Sequence, residues 1–359
     1  MEEKIMFGFS VFLNKPLSSE TKQYIEKMAH SGFTGVFTSL HIPEDNNTQY
    51  RKLLIELGNI TKSLNLDLMV DISSSSLQKA GFSMSNINEI RSIGVTGLRA
   101  DDHISNKCIA QLSNKITIAL NASTITENDI QELKLANANF DQLEAWHNYY
   151  PRPETGLDEE WYRKKAKWLK SFGLKSQAFV SGDNNLRGPL YQGLPTLEKH
   201  RDYHPLAASL DLLSDTNKIF IGDPGLSDTV IKQFANYIME KNILLHVDPF
   251  NNQIDFTLGE HINRLDESRD VIRSAYSRKK KIPNIKPLLN IKRDTGSVTI
   301  DNSQYLRYMG EIQITKRSLP ADEKINVVGQ ISQNDWCLIP HIKGGQKFTL
   351  LKNDIESED

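Results

Sequence analysis

The chain has 359 residues, 38% of them hydrophobic, with 43 basic against 45 acidic side chains and a formal net charge of −2. That length exceeds what one compact core usually holds, so two domains are expected. The near-neutral balance argues against a nucleic-acid or membrane-surface role carried by bulk charge, and two distant cysteines, Cys108 and Cys337, offer neither a disulfide framework nor a zinc site.

The opening MEEKIMFGFSVFL joins an acidic lead to an apolar run that soon meets Asn14, Lys15 and Pro16. It lacks the basic leader and small-residue cleavage site of a signal peptide. No run approaches the roughly 20 apolar residues that span a bilayer. A cytoplasmic protein is the expectation. IMFGFSVF is the first predicted strand, and SSETKQYIEKMAHSG follows as a helix with Ser18 or Ser19 as N-cap and Gly32 as its stop. TGVFTSL and a helix over TQYRKLLIELGNITKSLN come next, then LDLMVDIS with a helix over MSNINEIRSIG. VTGLRAD, KITIALNA, FDQLEAW, LKSQAFV and KIFIGD are the fourth to eighth strands, and LSDTVIKQFANYIMEKN is the last helix. The connectors are long enough for parallel crossovers. Eight strand–helix units in about 240 residues predict an α/β fold of the (β/α)8 TIM-barrel type. The competing open doubly wound sheet needs a glycine-rich phosphate loop after its first strand, and FGFSVFLNKPLSS is not one.

Beyond Lys241 the pattern changes. ILLHVDP, KPLLNIKR, SVTIDN, GEIQITKRSL, INVVGQI, WCLIPHI and GGQKFTLL are short alternating runs between turn residues. They predict a small all-β barrel. RLDESRDVIRSAYSRKK reads as a helical piece between the two regions. The expected domains are residues 1–241 and 242–359.

In a (β/α)8 barrel the chemistry sits where strands run out into their following loops. Strand four ends RADDH, strand five NAST, strand six EAWHNYYPRP, strand seven SGDNNLRGP and strand eight GDPG. Arg99 and Asp101, two apart, share a face: they are either an ion pair filling a barrel layer or a functional carboxylate with its orienting arginine. Glu144, inside strand six, must have partners, because an unpaired carboxylate in a barrel is costly. His147 and Asn148 either close the strand or serve a sugar or an amide. Arg152, wedged between Pro151 and Pro153, sits on a stiffened backbone suited to holding an anion. The seventh connection carries Asp183, Arg187, Glu198, His200 and Arg201, the last three also placed to open a helix. Asp223 is a turn residue or the second carboxylate of a pair. The chain has no G-x-S-x-G, H-E-x-x-H or P-loop, and the spacing requires no metal or cofactor.

At HNYYPRPETGL and RGPLYQGLPTLEKHR the chain resembles the 6-phospho-N-acetylmuramidase (MupG) family, and the likeness extends over FGFSVF, LRADD, IGDPG, RLDESRDVIRS and TIDNSQYLRYMGEIQI. The resemblance implies a (β/α)8 barrel followed by a cyclophilin-like β-barrel. It implies hydrolysis of the β-1,4 bond of MurNAc 6-phosphate–GlcNAc, a small phosphorylated disaccharide, in cell-wall turnover. Glycoside hydrolysis generally uses two carboxylates. Asp101 and Glu144 are the expected pair, with Asp183 and Asp223 in reserve, or one carboxylate orients a substrate acetamide that attacks its own anomeric carbon. Arg152 and Arg187 are assigned to phosphate or lactyl carboxylate. Arg99, His147, Asn148, Glu198, His200 and Arg201 complete the candidate site. Arg264, Arg273, Arg278 and Tyr305 of the second domain are expected either to reach the barrel mouth or merely to decorate the surface. The other readings are a phosphosugar isomerase or aldolase, and a non-catalytic sugar-phosphate sensor.

Overall fold

The computed structural model describes residues 5–40, 48–73, 76–100, 104–279 and 283–353. Two compact units make up the chain, Met1–Ile231 and Lys232–Asp359.

The first unit alternates strand and helix from its start. It begins β1 (Met6–Ser10), α1 (Ser19–His30), β2 (Gly35–Ser39), α2 (Thr48–Ser63) and β3 (Asp67–Ile72). It continues α3 (Ser76–Lys79), α4 (Ile87–Ser92), β4 (Gly97–Ala100), α5 (Asn106–Ser113), β5 (Thr117–Asn121) and α6 (Glu127–Leu135). Then come β6 (Leu143–Trp146), α7 (Glu159–Ser171), β7 (Lys175–Val180), α8 (Pro205–Leu212), β8 (Lys218–Ile221) and α9 (Asp228–Glu240). Ser18 accepts from the N–H of Thr21, and Thr126 with Asp129 forms a capping box. The eight strands pair in sequence order, all parallel, and β1 closes on β8 with Met6 opposite Lys218 and Phe9 opposite Ile221.

Alternate residues of each strand face the axis. Phe37, Met69, Ala119, Trp146, Phe179 and Phe220 meet there as one sealed layer, with Trp146 and Phe220 ring centroids 4.8 Å apart. The bulk is accommodated by glycine on the neighbouring strand: a Cβ on Gly8, paired with Phe220 across β1 and β8, would lie 2.3 Å from the Phe220 ring. This layer divides the barrel interior into a floor at the N-terminal ends of the strands and a mouth at the C-terminal ends.

The second unit holds β9 (Asn242–Pro249), β10 (Gly259–Ile262), β11 (Val271–Arg273), β12 (Ser297–Asp301), β13 (Ile312–Thr315), β14 (Ile325–Ile331) and β15 (Lys347–Lys352). They form a mixed sheet in the order β10-β15-β9-β14-β12-β13-β11, and a bridge between Asn263 and Ser274 brings its edges together, leaving it nearly closed. Ile272, Val298, Ile300, Ile312 and Ile314 are buried along paired strands. The division between units falls within α9, before the expected boundary at Lys241, because Gln233 bonds to Leu244 O at 3.1 Å and to Asp335 at 2.8 Å.

Three expected elements are different in the structure. The stretch 264–279 is not one continuous helix: it holds β11 and a short 3-10 turn at Ser277–Lys279, and its charged neighbours pair with each other, Arg264 with Asp266 and Arg269 with Asp270. Ile272 is instead drawn into the sheet opposite Ile314. WCLIPHI lies in a 3-10 stretch, Gln333–His341. KPLLNIKR forms no strand: the Leu288 N–H goes to the side chain of Asn326 instead of a ladder. Among the described residues, no helix is long and apolar enough to cross a membrane.

Candidate active site

The mouth gathers the inward side chains that follow the sealed layer on each strand. Asp71 on β3 and Arg99 on β4 are paired across adjacent strands, Arg99 Nη1 lying 2.6 Å from Asp71 Oδ1. Ser39 on β2 donates its hydroxyl to Asp71 Oδ2 at 2.9 Å. The second Arg99 terminal nitrogen donates to Asn148 Oδ1, just beyond β6. A carboxylate is therefore fixed by one hydroxyl and one guanidinium, and the guanidinium is fixed in turn by an amide. Preorganised charge of this kind is what a reaction with a developing cationic or anionic centre requires.

Tyr149 roofs the sealed layer, its ring centroid 5.2 Å from Phe179 and 6.4 Å from Phe37. Its hydroxyl accepts from Arg187 Nη1 at 2.7 Å, and the Arg187 guanidinium stacks 3.8 Å above the Phe12 ring. Burial, above all, pushes the Tyr149 phenol up; Arg187 and Arg99 pull it down and Asp71 pushes it up. It stays a neutral phenol with a proton to donate.

A family model described as the N-terminal part of 6-phospho-N-acetylmuramidase matches residues 7–236, and the corresponding C-terminal model matches residues 243–351. The chain belongs to the 6-phospho-N-acetylmuramidase family. A crystal structure of a conserved Enterococcus faecalis protein of unknown function is 45% identical over 97% of this chain and 96% of that one, with a TM-score of 0.90. An uncharacterized B. cereus protein is 23% identical over 97% of this chain and 99% of that one, with a TM-score of 0.75, and shares the fold. No protein of curated function matches.

The structure redistributes the residues singled out in the sequence. Arg99, Asn148 and Arg187 are in the mouth. Asp101 lies outside the described residues, and among those that are described the carboxylate that Arg99 meets is Asp71. Glu144 needs a correction. It pairs in register with Lys175, the first residue of β7, and its Oε1 lies 2.7 Å from the ammonium of Lys218, the first residue of β8. Trp146 Nε1 closes its other oxygen at 2.8 Å. Glu144 is thus on the barrel floor, with Trp146 between it and the mouth.

His147 also needs a correction. It alternates to the outer side of β6, wholly buried with its ring 4.8 Å from Tyr162 on α7. Burial, and behind it the charges of Lys165 and Arg99, push its pKa down to about 3. An imidazole that cannot protonate at neutral pH has no acid to give.

The remaining polar residues build loops. Asp223 accepts backbone N–H groups from Gly182 (2.9 Å), Arg187 (3.0 Å) and Leu194 (2.9 Å), although burial pushes its pKa up. Asp183 holds the N–H of Ser227 at 2.8 Å, at the start of α9. Glu198 receives Arg201 bidentately at 2.7 and 2.6 Å and the N–H groups of Glu154 and Gly156 at 2.9 and 2.7 Å. A Cβ on Gly156 would stand 2.5 Å from Glu198 Oε2, so this clasp excludes any larger residue there. Arg201 also donates to the carbonyls of Gln192, Gly193 and Arg152. His200 is buried on Asp211 at 2.9 Å. Arg152 is exposed, and its carbonyl, not its guanidinium, is what the clasp uses. These six carry the shape of the rim and do not share the mouth network.

Asp71, Ser39 and Phe12 were not singled out in the sequence. A signal for Asp71 existed: LMVDIS ends on a carboxylate in phase with Met69, the same strand-end pattern that drew attention to strand four.

Proposed function

We propose that the protein hydrolyses the β-1,4 glycosidic bond of MurNAc 6-phosphate–GlcNAc inside the cell, during turnover of the cell wall. The observation that carries this reading is the Asp71–Arg99 pair at the mouth of a barrel whose family is named for that glycosidase activity. Asp71 supplies one carboxylate to the sugar, and Asp101, in phase with Arg99 in the sequence, is proposed as the second. Arg99 and Ser39 hold Asp71 in one orientation, so its charge is aimed before the oxocarbenium-like transition state forms. Asn148 keeps Arg99 from swinging toward the reacting bond. Tyr149 offers an apolar ring face to the sugar and a hydroxyl to its edge. Both cysteines are free thiols, in keeping with a reducing compartment.

The test is to incubate the purified protein with the phosphorylated and the unphosphorylated disaccharide and follow released GlcNAc by mass spectrometry. Cleavage of the phosphorylated compound alone is expected. Equal cleavage of both removes phosphate recognition from the reading, and cleavage of neither removes the activity.

A further inference from the structure

Beside the mouth, the rim carries a groove of about 500 Å3 walled by the loops that follow β1, β7 and β8. Phe12 and Lys15 come from the first loop and Asn184, Asn185 and Arg187 from the second, while Glu20 is the only carboxylate among the described lining residues. Arg187 is only half exposed, yet it has no ion-pair partner among the described residues. Asp223, on the loop after β8, is occupied by three backbone N–H groups, one of them that of Arg187 itself. Removing a guanidinium from water without a counter-charge is costly. Stacking on Phe12 and one bond to Tyr149 offset only part of that cost, because a guanidinium has five N–H donors and a single one is used here.

We infer that this groove is the subsite for the 6-phosphate of the muramoyl sugar, with Arg187 and Lys15 as its cationic partners and Phe12 as the platform that holds Arg187 in position. The inference rests on the proposed hydrolysis and assigns the residues that make it selective for the phosphorylated disaccharide. Phosphate brings the multiple acceptor oxygens that the unengaged guanidinium edge matches, and the amides of Asn184 and Asn185 supply further donors. Tyr149 joins the two sites: it receives Arg187 on its hydroxyl and lies within the fields of Asp71 and Arg99. A sugar anchored by its phosphate at Arg187 therefore extends over Tyr149 toward the Asp71 carboxylate. Binding energy from this remote anion goes into aligning the glycosidic bond.

The experiment measures MurNAc 6-phosphate and MurNAc binding by calorimetry, and disaccharide hydrolysis, for the wild type, Arg187→Leu, Lys15→Met and Arg187→Lys. Loss of a charged hydrogen bond predicts roughly a 10- to 100-fold rise in KM and Kd for the phosphorylated ligands in Arg187→Leu. A rise of about 3- to 10-fold is expected in Lys15→Met, an exposed position, with partial rescue in Arg187→Lys. MurNAc affinity stays as it was in all three. Full retention of the phosphate preference in folded Lys15→Met and Arg187→Leu overturns the subsite and leaves the hydrolase reading intact. Should Arg187→Leu not fold, Phe12→Leu takes its place with the same expected loss. Wild-type protein that binds MurNAc 6-phosphate in an Arg187-dependent way but cleaves no disaccharide supports the subsite and overturns the hydrolase reading.

Discussion

The Lys218 ammonium lies 2.7 Å from the Glu144 carboxylate, on the floor of the barrel, with the Trp146 indole donating to the same carboxylate from above. Both side chains are largely buried, 16% and 10% exposed, so removal of one charge strands the other. Glu144→Gln is expected to lower Tm by about 5–10 °C, the order expected when a mostly buried pair is broken in a chain of this size. Its kcat stays within about threefold of wild type, since no transition-state contact is lost. Replacing both partners by Leu and Met recovers part of the stability. A folded Glu144→Gln protein without activity would return this residue to the chemistry.

At the opposite end, Asp71→Asn keeps the shape of the carboxylate and loses its charge. A drop of about 10²- to 10⁴-fold in kcat is expected, as for removal of an acid–base or electrostatic group, together with a fall in Tm, because the buried Arg99 guanidinium loses its counter-charge. Ser39→Ala, which loses one donor to Asp71, costs about tenfold. Near-normal turnover by Asp71→Asn would exclude Asp71 from catalysis.

Glu198 gives a pH prediction with a definite sign. Arg201 first, then the N–H groups of Glu154 and Gly156, hold its pKa down to about 2 against an ordinary 4.5. The folded-state value is depressed, so the stabilisation is present above pH 4.5 and is lost as pH falls toward 2. Backbone amides at 154–157 should exchange hydrogen faster as pH drops through that window, after correction for the intrinsic rate. In Glu198→Gln the protection is already reduced at neutral pH, and the pH step disappears.

In the second unit Asp301 behaves in the opposite sense. Burial, helped by Glu311 and Asp322, raises its pKa from 3.8 to about 7, with Arg293 and Arg273 opposing. The neutral acid is the form the fold accepts. Its contribution is fully present below pH 3.8 and is lost as pH rises through 7. Asp301→Asn, which keeps a neutral side chain of the same shape, should raise Tm by several degrees at pH 8 and by little at pH 4. A Tm difference that does not change between these two pH values would refute this assignment.

Much of the architecture can be read along the chain. Eight β-rich runs separated by long connectors appear as eight parallel strands, and Ser18 caps the helix it precedes. The mouth is legible in part. Arg99, Asn148 and Arg187 are found where strand ends lead one to look, whereas Glu144 and His147 are not. Period-two alternation reports which side of a strand a residue faces, and so separates His147 from Asn148. It does not report height along the barrel axis, and that is what separates Glu144 on the floor from Asn148 at the mouth. Nor does it reveal how loop carboxylates are used: Asp223 and Glu198 have the composition of catalytic acids but spend their oxygens on backbone N–H groups.

The sequence by itself determines the number and order of the eight barrel strands, the two-part organisation and the loops rich in hydrogen-bonding groups, because these follow from local alternation, capping and turn chemistry. Only the tertiary structure decides which polar residues meet. Asp71 and Arg99 are 28 positions apart, and Arg99 and Asn148 49. What joins them is the stagger of neighbouring strands around a closed barrel, with one aromatic layer setting which charges belong to the mouth and which to the floor.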